Sequence, residues 1–295
     1  MIHTIKNQKL EVGVNSFGAE LSQIRSLENG VEYLWQGDPV WWDGQSPVLF
    51  PIIGALEDDT LKIGNNTYTM KQHGFARISE FELVDSAALA EEPSLVYRLT
   101  PNAEIKKEYP YDFEFTVSYL LEDNSVVNRF EVINTDTDTI YFSVGGHPGF
   151  NVPLRPDESM KDYILEFETP ESINRRMLVD RLLDGSTELF LNNEREVPIT
   201  PALFDKSAII LDGLQSGYVT LKSKKSSTAV RVDFPGFPYL GIWAKPGGAP
   251  FVCIEPWYGI ASTRGKKPDF REKEGVMALS PGKKFQCQFK ITIIG

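Results

Sequence analysis

Three short segments hold side chains suited to moving protons. They are Gln72-His73-Gly74-Phe75-Ala76-Arg77, Gly145-Gly146-His147-Pro148-Gly149-Phe150-Asn151 and Val252-Cys253-Ile254-Glu255-Pro256-Trp257-Tyr258-Gly259. His73 and His147 are two of only three histidines in 295 residues. An unperturbed imidazole titrates near neutrality, so a positioned one gives or takes a proton at physiological pH. Flanking glycines let the backbone approach a ligand closely. Either histidine equally suits a hydrogen-bonded structural role. Glu255 is a lone carboxyl among apolar and aromatic neighbours. Burial raises a carboxyl pKa and makes the carboxylate a better base toward a neutral hydroxyl. A buried glutamate paired with an arginine is the alternative reading.

Other chemistries find less support. The histidines lack the His-x-His or His-x-x-x-His spacing of a local metal chelate, and the two cysteines are isolated, so no metal is expected. No Gly-x-Ser-x-Gly elbow, phosphate-binding loop or dinucleotide fingerprint occurs, so no nucleophilic serine and no cofactor is expected. Trp41, Trp42, Trp257 and Tyr258 offer flat apolar faces of the kind on which sugar rings pack, although most aromatics in such a chain must be core. What remains is acid–base work on a neutral, polyhydroxylated substrate that carries its own electrophile. A cyclic sugar hemiacetal is one. Deprotonating the anomeric hydroxyl while protonating the ring oxygen opens the ring, and reclosure after bond rotation gives the other anomer.

The elements that must position these groups read as strands. Period-two alternation recurs at Leu10–Val14, Phe113–Tyr119, Tyr163–Phe167, Val230–Phe234 and Phe285–Ile293, with turn signals such as Glu28-Asn29-Gly30 and Ser280-Pro281-Gly282 between such runs. Helical periodicity is weak, and only Pro170–Leu178 suggests a short helix. The Ala87–Pro93 segment reads as a solvated hairpin connection. The adjacent Trp41-Trp42 pair would point to opposite faces of a strand. The expectation is one all-β domain over residues 1–295, a large antiparallel β-sandwich in which distant strands bring side chains to one face.

Composition narrows the partners. Lys and Arg number 30 against 41 Asp and Glu, a formal charge of -11, which disfavours a nucleic-acid partner. No run approaches the length of a membrane span, and the start lacks the apolar core of a secretion signal. Cys253 and Cys287 are read as reduced thiols in a cytoplasmic protein, with Cys287 on the apolar side of a strand. Edge-strand pairing offers a route to a homodimer.

Taken in order, the motifs resemble the aldose 1-epimerase (galactose mutarotase) family, within its branch of mutarotase-related bacterial proteins. The resemblance runs from Phe17-Gly18-Ala19-Glu20-Leu21 through Trp42-Asp43-Gly44-Gln45-Ser46-Pro47-Val48-Leu49-Phe50-Pro51 to the Pro281-Gly282 turn. It implies a large antiparallel β-sandwich with a sugar on its concave face. It also implies His147 as proton donor to the ring oxygen and Glu255 as base toward the anomeric hydroxyl. His73 and Arg77 become substrate-binding residues. Asp205 matches a substrate-binding aspartate loosely, with Asp212 as competitor. Related sequences often carry an arginine where this chain has Ala55, followed by the acidic run Glu57-Asp58-Asp59. That departure favours an unphosphorylated aldohexose over a hexose 6-phosphate, unless Arg77 or the Arg264-Gly265-Lys266-Lys267 segment supplies the charge. A non-catalytic carbohydrate-binding protein on the same fold is the rival from another class.

Overall fold

The computed structural model describes residues 1–88 and 90–295. Strands dominate, and among the described residues fifteen join one large sheet. Antiparallel pairing is the rule along it. Phe113–Glu122 pairs with Ser125–Asn134, which in turn pairs with Lys284–Ile294. A separate three-stranded sheet, Ile2–Lys6, Leu10–Asn15 and Glu20–Ser26, packs on the strands of the large one. The Tyr119 hydroxyl donates to the Ala19 carbonyl (2.7 Å) and the Tyr97 hydroxyl to that of Val14 (3.3 Å), pinning the layers together. This is the expected antiparallel β-sandwich. No helix among the described residues is long and apolar enough to cross a membrane.

The alternating pattern in the sequence is the burial pattern in the fold. Phe113, Phe115, Val117, Tyr119 and Leu121 all face the core, as do Cys287, Phe289, Ile291 and Ile293. Phe50 lies parallel to Phe115 with ring centroids 4.5 Å apart, so the segment leading into the first histidine motif is anchored in the core. Cys253 and Cys287 are both buried free thiols.

Two local expectations fail. Residues 170–178 are not helical; they belong to a 17-residue strand, Tyr163–Val179, paired with Leu182–Pro198. Glu171, Ile173 and Arg175 point inward while Ser172 and Asn174 point out, a period of two. The pattern was hidden because two of its three buried positions are charged. The register slips between Glu166 and Glu171, which accommodates Pro170, a residue with no N–H to give a ladder. Trp41 and Trp42 are likewise not on a strand. Both backbone N–H groups donate to the Asp38 carbonyl in a turn, and the turn aims Trp42 into the site described below. The Ala87–Pro93 connection does join an antiparallel pair, Glu82–Ser86 with Ser94–Leu99, although Leu89 lies outside the described residues.

Candidate active site

The three motifs converge on one cleft of about 530 Å³. The short strand Val144–Gly146 lies between Val48–Leu49 and Phe251–Tyr258, which places His147 beside Glu255. Glycine makes this close packing feasible. A Cβ on Gly145 would meet Pro256 O and Trp257 Cδ1 at 2.7 Å, and one on Gly241 would meet the Trp257 ring at 2.5 Å. The indole thereby lies flat against the sheet as part of the cleft wall.

His147 Nε2 is 3.1 Å from Glu255 Oε2. The approach is close but off-line, because Oε2 satisfies no hydrogen-bond geometry, and neither does His147 Nδ1. Trp42 lies against the His147 ring (centroids 5.0 Å, planes 35° apart) and Trp243 meets it edge-on at 5.7 Å. His73 approaches from another side, centroids 5.6 Å and nearly perpendicular. The backbone holds His73 tightly. Its N–H donates to the Gly54 carbonyl (2.9 Å), and the Gly54 N–H donates back to His73 Nδ1 (3.2 Å).

Burial sets the electrostatics. It pushes the His147 imidazole down to about 3, with Arg77 adding to the shift and a backbone hydrogen bond opposing it. It pushes the Glu255 carboxyl well above the ordinary range. His73 is held well below its ordinary value by burial, then by His147 and Arg77. The favoured resting form is therefore a neutral pair, with one proton on Glu255 and none added to His147. The ion-pair form differs by one proton transfer across the same gap. The alternative of a glutamate neutralised by an arginine is absent, since no arginine among the described residues pairs with Glu255.

His147, Cys253 and Glu255 present donor atoms within 4.8 Å of one another, and these three could close on a soft divalent ion. Burial holds the Cys253 thiol firmly protonated, so such an ion would have to displace a proton from sulfur as well as engage the acid–base pair.

The cleft also gathers residues that sequence reasoning passed over. Asp180 and Arg181 come from the tight turn joining Tyr163–Val179 to Leu182–Pro198, both with positive φ (50° and 71°). Lys206, Ser207 and Ala208 line it from the segment after the turn Pro201–Phe204. Asp205 does not reach it. That residue extends the turn, with φ -60° and its N–H donating to Ala202, and its side chain stays at the exposed surface outside the cleft. Asp212, its competitor, is committed to Arg176 at 2.9 Å. Arg77 does line the cleft, from the turn Ala76–Ile78. Ala55 is buried outside it, and the acidic run beyond is otherwise engaged. Asp59 pairs with Lys71, Asp58 with Lys267, and Glu57 accepts from the Gly265 N–H. The absent arginine at position 55 therefore says little about charge in the cleft, which Arg77 and Arg181 line together with Asp180 and with Lys206, itself paired with Glu188 at 2.6 Å.

Comparison with known proteins bears on this geometry. A model of the aldose 1-epimerase family matches residues 1–268. The plasmid-encoded and chromosomal proteins LacX of Lactococcus lactis subsp. lactis are each 36% identical over 299 residues, spanning 98% of this chain and 98% of their own. Among solved structures, a galactose mutarotase related enzyme from Lactobacillus acidophilus superposes with a TM-score of 0.94. It is 35% identical and aligns over 99% of this chain and 97% of its own. A galactose mutarotase-like protein from Lactobacillus casei gives 0.92 at 32% identity, over 99% and 100%.

Proposed function

The chain belongs to the aldose 1-epimerase family, and from that premise we propose that it interconverts the α and β anomers of an aldohexose, with His147 and Glu255 as the acid–base pair. The observation that carries the reading is the buried pair 3.1 Å apart in a cleft that also holds His73 and Arg77. The anomeric and ring oxygens are bonded to the same carbon, so two proton-transfer groups this close can serve both at once. In the ion-pair form, Glu255 takes the anomeric proton as His147 gives one to the ring oxygen. The C1–O5 bond breaks, and an open-chain aldehyde remains beside a neutral pair. Burial favours that neutral pair, so ring opening proceeds by annihilating two poorly solvated charges. After rotation about C1–C2 the other face of the aldehyde meets the ring hydroxyl. Glu255 returns its proton to O1, His147 recovers one from O5, and the other anomer leaves. Trp42 and Trp257 offer flat faces to the sugar's C–H surfaces.

Polarimetry or exchange NMR on freshly dissolved α-glucose and α-galactose tests this reading. Saturable sugar binding with no anomerisation above buffer would instead identify a binding protein. A phosphorylated aldose is the second reading, favoured by the rim cations. Arg77 and Arg181 both line the cleft, and neither forms an ion pair among the described residues of this acidic protein. The rates on glucose 6-phosphate and glucose, each compared with Arg77→Ala and Arg181→Ala, separate the two substrates.

A further inference from the structure

Hydrogen-bond accounting around His73 is over-supplied with donors. The Gly54 N–H points into Nδ1 at 3.2 Å, and a backbone N–H can do nothing but donate. Nδ1 is therefore the unprotonated nitrogen. The ring is neutral, and its single proton sits on Nε2. Gly54 cannot easily move to change this. It has φ 67°, and the space its Cβ would fill is taken by Ala261, 2.6 Å away. Next to Nε2, at 3.2 Å, lies the side-chain nitrogen of Gln72, also a donor. The other end of that amide, Oε1, accepts from Arg181 Nη1 at 3.3 Å. In the row Gly54, His73, Gln72, Arg181 there is thus one acceptor too few. Two groups need the Gln72 oxygen: the Nε2–H of His73 and the guanidinium of Arg181. Half a turn of the amide swaps which one gets it, because its two ends have the same shape.

We propose that Gln72 is a positioning residue that shares its one carboxamide oxygen between His73 and Arg181, so that a sugar oxygen accepting from His73 Nε2–H leaves Gln72 free to orient Arg181 over the cleft. In the structure the oxygen is on Arg181 and the amide nitrogen faces His73 Nε2; half a turn of the amide gives the oxygen to His73 and releases Arg181. With a sugar oxygen on Nε2–H, the amide adopts the orientation that holds Arg181 at 3.3 Å. Engagement at His73 and ordering of a cation at the rim are in this way coupled through one side chain, Gln72, which reaches Arg181 across 109 positions of sequence. The coupling rests on the mutarotase reading only in so far as the ligand is a sugar; the tautomer and the shared oxygen do not depend on it.

The test has two arms. Long-range ¹H–¹⁵N NMR on the full chain resolves three histidines, assigned by His73→Asn and His147→Asn. The expected result is a neutral His73 protonated at Nε2 near pH 7. In Gln72→Leu the Nε2 resonance moves while Nδ1 stays. A His73 protonated at Nδ1, or a Nε2 signal indifferent to Gln72→Leu, would overturn the proposal even in a protein without mutarotase activity. In the kinetic arm, Gln72→Leu and Arg181→Ala each raise KM for α-glucose roughly three- to tenfold, the scale of one hydrogen bond. The double variant is no worse than the poorer single, since both remove the same contact. Effects that multiply independently would show that Gln72 does not act through Arg181. Loss of all activity in the wild type would sink the mutarotase reading and leave the NMR arm to decide this one.

Discussion

His147 offers a measurement in which buried electrostatics and stability meet. Its imidazole is held at about 3 by burial, against an ordinary value near 6.5. A base with a depressed folded pKa contributes stability that is complete above its unfolded pKa and lost as pH falls toward the folded one. The unfolded chain protonates His147 below about pH 6.5 and the folded chain does not, so acid pulls the equilibrium toward unfolding. At pH 4 the gap is about 2.5 pH units, and at about 1.4 kcal/mol per unit this amounts to about 3 kcal/mol. His147→Gln removes the titrating group and keeps a polar side chain of similar reach. The substitution has its own packing cost, but that cost is the same at both pH values and cancels. Urea unfolding of both proteins at pH 7 and pH 4 should therefore show the variant gaining about 3 kcal/mol on the wild type between the two conditions. His73 responds to acid similarly but is present in both chains. A gain below about 0.5 kcal/mol would mean that folded His147 protonates as freely as unfolded, and that its burial does not hold the imidazole neutral.

Gly54→Ala places a methyl 2.6 Å from Ala261 at φ 67°, so it should cost about 1–3 kcal/mol in thermal or urea unfolding and release the His73 clamp, lowering kcat/KM. Lys273 is buried with its ammonium on the carbonyls of Ile260 and Glu274, and burial holds its pKa down to about 8. Its favourable contribution is complete above the ordinary value of 10.5 and lost as pH falls through 8. Lys273→Met should gain about 2–3 kcal/mol on the wild type between pH 10 and pH 7 in paired unfolding curves. Dialysis against a strong chelator should leave anomerisation unchanged, since the acid–base pair works without an ion; a rate restored only by added zinc would assign His147, Cys253 and Glu255 to a metal centre instead.

Much of this was legible in the residues, for physical reasons. Strands with one buried face announce themselves by alternation, and Phe113–Leu121 and Phe285–Ile293 do so because their inward positions are uniformly apolar. Tyr163–Val179 did not, because Glu171 and Arg175 occupy inward positions with their polar atoms hydrogen-bonded or paired. Glu171 accepts from Gln215, Ser216 and the Ser216 hydroxyl, and Arg175 is held by Glu188. His73, His147 and Glu255 stood out through their rarity or their apolar frames, and all three line one cleft. Asp180, Arg181 and Lys206 did not, because exposed charges on a turn look like any solvated surface. Their relevance comes from where the Val179–Leu182 turn and the segment after Pro201–Phe204 are folded, which is a tertiary fact. Asp205 was the reverse case: a plausible acid one residue away from those that reach the cleft. A shift of a single position around a tight turn is enough to send a side chain out to solvent.

The most direct test of the central claim is the anomerisation rate of Glu255→Gln. The substitution keeps shape and burial while removing the base, and Glu255 is 1% exposed with an unpartnered Oε2, so the fold should be unharmed or slightly more stable. Exchange NMR on an α/β aldohexose mixture should show kcat reduced by roughly two to four powers of ten, the scale of one general acid–base group. An undiminished rate in a folded Glu255→Gln protein would contradict the account.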